Sequence, residues 1–219
     1  MRDRLTGILR EEARWCGDFL LLPQSGGGEE CPVQTLDTIR SKLGDCKRCA
    51  LGQTRKNIVF GEGSANADVM FIGEAPGATE DATGKPFVGP AGNLLTKIIQ
   101  NGMGLSRQEV YIANILKCRP PGNRDPLPDE VEQCIGFLES QIEVIQPRVI
   151  IALGRVASQN LLGTKNPLNR IRGSFQEYGE IVLMPTYHPS YLLQNPAKKR
   201  DVWEDIKKVM GYLGLPILR

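Results

Sequence analysis

The chain has 219 residues, enough for one well-packed domain and a short extension. Its 41% hydrophobic and 24% charged residues are those of an ordinary globular protein. The 27 basic and 25 acidic residues leave a formal net charge of +2, which excludes a general polycation and requires any basic footprint to be local. No apolar run is as long as a membrane span, and the start does not resemble a signal peptide. We therefore expect a cytoplasmic protein that does not contact membranes.

Residues 1–33 are predicted to form a peripheral extension. The first part has apolar side chains at partly helical spacing, and Gln24–Glu30 is a glycine-rich segment typical of a linker. Cys16 and Cys31 lie in this extension and receive no role. The chain is thus divided into an N-terminal helical extension and linker, residues 1–33, and a main domain, residues 34–219.

The main domain is predicted to alternate strands with helices. The strands are apolar runs bounded by turn residues. They are expected at 68–73, 110–115, 148–153 and 181–186, and residues 174–178 are a candidate hairpin arm. Helices are expected at 35–43, 91–101, 129–145, 154–161 and 198–213. This alternation predicts an α/β fold, a parallel sheet with helices on both faces.

Three of the predicted strands end at residues that can take part in chemistry. Glu74 follows the first strand, Asn114 lies near the end of the second, and His188, the one histidine of the chain, follows the fourth. The carboxyl ends of parallel strands meet at one edge of a sheet, where such folds bind ligands. We therefore expect these three side chains in one crevice, with Phe87 as one of its walls. The alternative is that all are structural, with Phe87 a core aromatic and His188 a packed side chain.

The loop after the first strand is long and rich in glycine, which is typical of functional loops. It opens with Gly73-Glu74-Ala75-Pro76-Gly77. It lacks both the spacing of a dinucleotide-binding fingerprint and the Gly-Lys-Ser/Thr ending of a phosphate-binding P-loop. These two classes of nucleotide-binding site are therefore excluded.

Four cysteines of the main domain are spaced as a metal site. Cys46 and Cys49 form a CxxC pair, and Cys118 and Cys134 follow at a distance. Zinc and a [4Fe–4S] cluster both accept four thiolates, so the spacing does not choose between them. Free structural thiols and a redox-active CxxC pair are the alternatives.

In combination, these motifs resemble the family 4 uracil-DNA glycosylases, which are the iron–sulfur type. The residues that carry the resemblance are Gly73-Glu74-Ala75-Pro76-Gly77, Gly84-Lys85-Pro86-Phe87-Val88-Gly89, Asn114 ahead of Lys117-Cys118-Arg119-Pro120-Pro121, and His188-Pro189-Ser190-Tyr191-Leu192-Leu193. The resemblance covers roughly residues 36–213. It implies a four-stranded parallel sheet in an α/β/α sandwich. It also implies a [4Fe–4S] cluster held by Cys46, Cys49, Cys118 and Cys134.

The resemblance further implies an enzyme that flips uracil out of double- or single-stranded DNA and hydrolyses its N-glycosidic bond, leaving an abasic site. The residues expected to be catalytic are Glu74, Glu80, Asn123 and His188, and those expected to bind the base are Gly73, Ala75, Phe87 and Asn114. DNA contacts are expected from Arg119, Arg170, Arg172, Ser190, Leu192 and Leu193. Leu192 and Leu193 are expected to supply an apolar wedge that enters the duplex. For each arginine, a solvated surface charge is an equally good interpretation.

The residue types suit this chemistry. The carboxamide of Asn114 both donates and accepts, which complements the N3–H and O4 of uracil. Bond cleavage develops positive charge on the sugar, which a carboxylate at Glu74 or Glu80 can stabilise, and negative charge on the base, to which His188 can donate. The sequence does not divide the work between Glu74, Glu80 and Asn123.

Two other functions stay open at this point. One is a non-catalytic iron–sulfur module that binds DNA as an accessory. The other is a related glycosylase that accepts a wider range of deaminated bases. The joint presence of Glu74, Asn114 and His188 favours an enzyme, which we expect to be a monomer.

Overall fold

The computed structural model describes residues 34–217, and within them one sheet of six strands forms the centre. The strands are β1 (Glu62–Gly63), β2 (Val69–Gly73), β3 (Tyr111–Asn114), β4 (Val149–Leu153), β5 (Gln176–Tyr178) and β6 (Ile181–Thr186). Their spatial order is β1-β3-β2-β4-β6-β5. The four central strands run parallel, and the two edge strands are antiparallel to their neighbours. The predicted extension, with Cys16 and Cys31, lies outside the described residues.

The predicted four-stranded parallel sheet is thus incomplete, because the sheet is mixed and has six strands. The four apolar runs are the four central strands, each within one residue of its predicted bounds. Strand β1 has only two residues, both exposed, so it leaves no hydrophobic pattern in the sequence. Strand β5 lies within the predicted hairpin arm, 174–178, and pairs with β6 as expected.

Within residues 34–217, five helices lie where the sequence predicts them. Three further short helices lie in segments that were predicted as loops or turns. They are α1 (Leu36–Leu43), α2 (Ala78–Thr83), α3 (Pro90–Lys97), α4 (Pro128–Ile145), α5 (Arg155–Leu162), α6 (Leu168–Ile171), α7 (Pro189–Gln194) and α8 (Lys199–Leu213). A π-helical segment, Ile98–Met103, continues α3, and 3₁₀ turns lie at Ala50–Gln53, Pro121–Asn123 and Pro196–Lys198. In the described part of the chain, no helix is both long and apolar enough to cross a membrane.

Both faces of the sheet are covered, which explains why its strands read as continuous apolar runs. On one face, Phe71 packs in a core with residues of α3 and α8, among them Leu95 and Ile206. On the other face, Ile72 packs with residues of α4 and α5, such as Leu138 and Ala157. The result is the predicted three-layer α/β/α arrangement.

The order of the central strands creates a crevice at one edge of the sheet. From β2 the chain goes to β3 on one side, and it then crosses to β4 on the other side. The loops that leave the carboxyl ends of β2 and β4 therefore run in opposite directions. Open α/β sheets bind ligands in the crevice at such a point, where the strand order reverses. Glu74 directly follows β2, and Gly154 directly follows β4.

Candidate active site

Gly73 leaves the space that Asn114 and Phe87 occupy in the candidate site. A Cβ at Gly73 would lie 2.4 Å from Oδ1 of Asn114 and 2.5 Å from Cζ of Phe87, so a larger residue does not fit. Asn114 is only 1% exposed. Within residues 34–217, its Oδ1 has no hydrogen-bond partner. Burying an unpaired acceptor costs about 1–3 kcal/mol, so this oxygen is expected to accept from a ligand.

Phe87 adjoins both Asn114 and the histidine. Its side chain is buried, and its ring centroid lies 5.6 Å from that of His188 with a tilt of 37°. Its backbone has a φ of 51°, in the left-handed region that a bulky residue rarely adopts. Phe87 thus lies beside the histidine and Gly73, and its role as a wall of the crevice stays a prediction.

His188 caps the N-terminus of α7 with its side chain. Its φ of −69° and ψ of 140° are extended, as expected for the residue before a proline. The backbone N–H of Ser190 donates to Nδ1 at 3.1 Å, and Oγ of Ser190 lies 2.7 Å from the same atom. A backbone N–H can only donate, so Nδ1 is an acceptor and the ring proton is on Nε2.

Burial keeps the imidazole of His188 neutral. It lowers the pKa of His188 to about 4, although the carboxylate of Glu80 acts in the opposite direction. Gly154 makes this close packing possible, because a Cβ there would lie 3.0 Å from Cβ of His188. Gly154 also has a φ of +90°, which disfavours any residue with a side chain. At neutral pH, His188 is thus a hydrogen-bond donor without charge.

The surroundings of Glu74 shift the ionisation of its carboxyl group to near neutral pH. Burial and the nearby carboxylate of Asp125 raise the pKa of Glu74 to about 7, and the guanidinium of Arg155 opposes this shift. Asp125 and Arg155 form an exposed ion pair that links the loop after β3 to the start of α5. Neither of these two residues was predicted for the site, because the sequence gives no sign that the two segments meet.

Glu80 holds the loop behind Phe87. Its Oε1 accepts from the backbone N–H groups of Val88, at 2.9 Å, and Gly89, at 2.8 Å. Asn123 lies on an exposed 3₁₀ turn, and its Oδ1 accepts from Nε of Arg119 at 2.8 Å. The structure therefore gives Glu80 a structural contact beside Phe87 and pairs two predicted site residues, Arg119 and Asn123.

Some of the residues expected to contact DNA are exposed, and others are held within the fold. Ser190, Leu193 and Arg170 are exposed, and Leu193 is 47% exposed. Leu192 is 1% exposed and belongs to the core that contains Phe71, so the prediction that it enters the duplex disagrees with its position. The reason is that α7 is a helix, on which adjacent residues point in different directions.

Arg172 also departs from its predicted role. Its Nη2 donates to both carboxylate oxygens of Asp205, at 2.7 and 2.8 Å, and to the carbonyl of Asp201 at 2.8 Å. Its guanidinium also lies over the ring of Tyr187. These contacts occupy the side chain within the fold, so a phosphate contact by Arg172 is not supported.

The four cysteines of the main domain line one pocket. They share it with apolar side chains, and the lining includes Cys46, Cys49, Cys118, Cys134, Leu43, Leu51 and Leu116. All four are free thiols. Burial raises the pKa of Cys118 to about 12 and also raises that of Cys134. In the described part of the chain, no three Cys, His, Asp or Glu side chains form a group that could hold a metal ion.

The cysteine pocket and the candidate active site share a stretch of backbone. The N–H of Leu116 donates to the carbonyl of Glu74 at 3.0 Å, beyond the end of β3. Ala75 packs against the cluster that contains Leu116 and Cys118. A change at the cysteines is therefore expected to reach the loop that holds Glu74.

Comparison with known proteins favours a glycosylase over the accessory DNA-binding module that the sequence left open. Residues 60–207 match the model of the uracil DNA glycosylase superfamily. The type-4 uracil-DNA glycosylase of Saccharolobus solfataricus is 46% identical over 185 residues, which are 81% of this chain and 86% of that relative. The type-4 enzymes of Archaeoglobus fulgidus and Thermotoga maritima are 43% and 42% identical, over 81% and 82% of this chain and 92% and 95% of their own. The chain belongs to the type-4 uracil-DNA glycosylases.

In this type-4 glycosylase, two further buried residues support the site and were not predicted. Lys117 is fully buried, and its Nζ donates to the carbonyl of Asn114 at 3.0 Å and to Oε1 of Gln141 at 2.6 Å. Gln141 donates in turn to the carbonyl of Phe60 and to the hydroxyl of Tyr111. The sequence places Lys117 in a proline-rich loop, where a lysine is normally expected in solvent.

Proposed function

We propose that this protein removes uracil from DNA by flipping the base into the candidate site and hydrolysing its N-glycosidic bond, which leaves an abasic site. The observation that carries the proposal is the buried, unpaired Oδ1 of Asn114 beside the ring of Phe87. An unsatisfied acceptor next to an aromatic face suits a flat base that has a matching donor. The family membership of the chain supports the same activity.

Asn114 would read the edge of the base. Its Oδ1 accepts from N3–H of uracil, and its Nδ2 donates to O4. Cytosine has a lone pair at N3 and an amino group at C4, so it would place acceptor against acceptor and donor against donor. Lys117 donates to the backbone carbonyl of Asn114, which fixes the main chain from which the carboxamide extends. The loop at Gly73 and Ala75 would lie against C5 and reject the methyl group of thymine.

His188 would stabilise the leaving base. Its Nε2–H donates to O2 of uracil, where negative charge develops as the bond breaks. The neutral state of the ring suits this role over a wide pH range, since its pKa is lowered to about 4. Ser190 fixes the tautomer by donating to Nδ1.

Glu74 would act on the sugar side. As a carboxylate, it would stabilise the positive charge of the sugar or orient the attacking water. Its raised pKa, about 7, means that the active form increases as the pH rises to neutrality. Glu80 would contribute through the loop that it holds, while a catalytic role for Asn123 stays a prediction.

The residues of the cysteine pocket fit a [4Fe–4S] cluster. Four thiols from three segments line one pocket. Two of the sulfur atoms accept hydrogen bonds: Cys134 accepts from the backbone N–H of Lys117, and Cys46 accepts from the guanidinium of Arg48. Four thiolates are the ligand set that a [4Fe–4S] cluster takes, and the type-4 family membership of the chain supports this centre. We propose that the cluster is structural and ties these segments together when bound.

DNA would be held at the rim of the site. Leu193 is an exposed aliphatic side chain of α7 that can enter the base stack, and Ser190, Arg119 and Arg170 would contact the backbone. We propose that residues 34–219 make up the glycosylase domain. A monomeric state and a cytoplasmic location stay predictions from the sequence.

Replacement of His188 by alanine tests the proposal. The single-turnover rate of uracil release should fall by roughly 10²–10³-fold, as when one donor to a developing anion is removed. Affinity for undamaged DNA should not change, because it depends on phosphate contacts. If the rate per folded molecule equals that of the wild type, His188 has no part in the reaction.

A further inference from the structure

Arg107 is a partly buried arginine whose guanidinium binds the backbone of the loop that carries Phe87. Its Nη2 donates to the carbonyl of Pro86 at 2.9 Å, and its Nη1 donates to the carbonyl of Phe87 at 3.1 Å. Nη1 also donates to Oγ1 of Thr96 at 3.1 Å, which ties the guanidinium to α3. One side chain thus holds two consecutive carbonyl groups at the edge of the candidate site.

These two carbonyls flank a strained residue. Phe87 has a φ of 51°, and a phenylalanine keeps such a conformation only when its surroundings hold it there. Gly92 leaves the space that this conformation needs, because a Cβ there would lie 2.0 Å from the carbonyl oxygen of Phe87. The orientation of the Phe87 ring therefore depends on the contacts that fix its backbone.

Opposite charges hold the loop from two sides. Glu80 accepts from the N–H groups of Val88 and Gly89, and Arg107 donates to the carbonyls just before them. Each charge meets the backbone group of complementary polarity, which makes these hydrogen bonds stronger than neutral ones. Glu62 of the edge strand β1 lies 3.9 Å from Arg107 and partly balances its charge.

We propose that Arg107 is a positioning residue that fixes the Phe87 ring for stacking against the flipped base. This inference rests on the proposed function and adds a residue to it, since Arg107 does not touch the base itself. An arginine suits this position best because its planar fork spans two carbonyls and a hydroxyl at once, whereas the single ammonium of a lysine keeps the charge but not this span.

The test compares Arg107→Met and Arg107→Lys with the wild type on DNA that carries one uracil. Lys208→Met is the matched control, since Lys208 also donates to a backbone carbonyl, that of Gly173, on another part of the fold. The maximal single-turnover rate of Arg107→Met should fall by roughly 10–100-fold, the size expected from misplacing a group that contacts the substrate. Arg107→Lys should recover part of the loss, and the control should keep the wild-type rate.

Hydrogen exchange of the same variants separates positioning from general destabilisation. In Arg107→Met, the amides of Val88 and Gly89 should exchange faster, while those of β2 and β4 and the affinity for undamaged DNA stay as in the wild type. A wild-type rate in Arg107→Met would overturn the inference. So would a loss of rate that accompanies faster exchange throughout the central strands. A wild-type protein that releases no uracil would instead overturn the proposed function, and this inference with it.

Discussion

Folding and base recognition make opposite demands on Asn114. Folding favours a hydrogen-bond partner for its Oδ1, whereas recognition needs this oxygen to be free for the base. Its oxygen is buried without a partner among the described residues, which costs free energy in the absence of a ligand. The sequence indicates the position, since Asn114 ends an apolar strand, but it does not show that the oxygen is unpaired. That property depends on Gly73, which lies far from Asn114 in the chain and leaves room for the side chain.

Asn114→Ala should lower uracil excision strongly and stability little. Loss of the contacts to the base is expected to cost about 1–3 kcal/mol in the transition state, a reduction of about tenfold or more in rate. The free energy of unfolding should change little, since Oδ1 has no partner to lose in the free protein. Single-turnover excision and denaturant unfolding measure the two effects. A large loss of stability with an unchanged rate would make Asn114 a folding residue.

Glu74 should give excision a pH dependence near neutrality. Because its pKa is raised to about 7 in the protein without DNA, the rate at subsaturating DNA, kcat/KM, should rise with pH up to about 7 and then level off. In Glu74→Gln, the rate should be lower and should not show this rise. His188 should not limit the rate above pH 5, since its pKa is lowered to about 4. Glu177→Gln, on the exposed edge strand, is the control.

The raised pKa of Glu74 also predicts how the free energy of unfolding changes with pH. The folded protein holds the proton of Glu74 up to about pH 7, whereas the unfolded chain releases it around the ordinary pKa of 4.5. The folded state therefore binds more protons between these values, and the free energy of unfolding falls as the pH rises through this range. Glu74→Gln should lack this decrease, so its stability advantage over the wild type should grow from pH 4.5 to 7. An advantage that shrinks would contradict the assigned burial of Glu74.

Helix α7 determines which of two adjacent leucines is exposed for contact with DNA. The sequence suggests an apolar wedge at Leu192 or Leu193, because both follow the histidine motif. Only the helix decides between them, by turning Leu192 into the core and Leu193 outward. The sequence did not predict this helix, since six residues after a proline carry too little pattern to distinguish a helix from a turn.

Leu192→Ala and Leu193→Ala should therefore have opposite effects. Leu192→Ala should lower the free energy of unfolding by about 2–5 kcal/mol, as for other buried leucines. Leu193→Ala should leave stability unchanged and lower excision from duplex DNA on the order of tenfold, with a smaller effect on single strands, where no base must be unstacked. Thermal unfolding and excision on both substrates measure this. Equal behaviour of the two variants would contradict the placement of α7.

The segment after β3 joins recognition to the cysteine pocket. It follows Asn114, the last residue of β3, and reaches Cys118 four residues later, and the N–H of Leu116 between them donates to the carbonyl of Glu74. The CxxC pair and the two later cysteines are visible in the sequence. Their convergence on one pocket depends on how α1, the segment after β3, and α4 pack together, which spacing alone does not determine.

Cys118→Ala should abolish the visible absorbance of the cluster and lower stability markedly, because thiolates from separate segments are then no longer tied together. Excision should also fall, through the backbone shared with Glu74. Cys31→Ala is the control, since Cys31 lies in the extension and should not alter the absorbance. A colourless wild-type protein with stoichiometric zinc, after anaerobic purification, would contradict the cluster.

At the scale of the whole molecule, the alternation of apolar runs with helical segments predicts the layers, the parallel core of the sheet and the edge at which the site lies. The pairing of Asp125 with Arg155 and the clamp of Arg107 on Phe87 could not be predicted, because each depends on contacts between loops distant in sequence. The edge strand β1 was equally hidden, since it has only two residues, whereas β5 lies within the predicted hairpin arm.

Release of uracil is the measurement that tests the account most directly. Purified protein that carries the proposed cluster is incubated with duplex DNA carrying one uracil at a known position, and strand scission by alkali is followed. The account predicts free uracil and one alkali-labile abasic site at that position, and neither product when thymine replaces the uracil. Binding of the DNA with no release of uracil, by protein that carries an intact cluster, would contradict it.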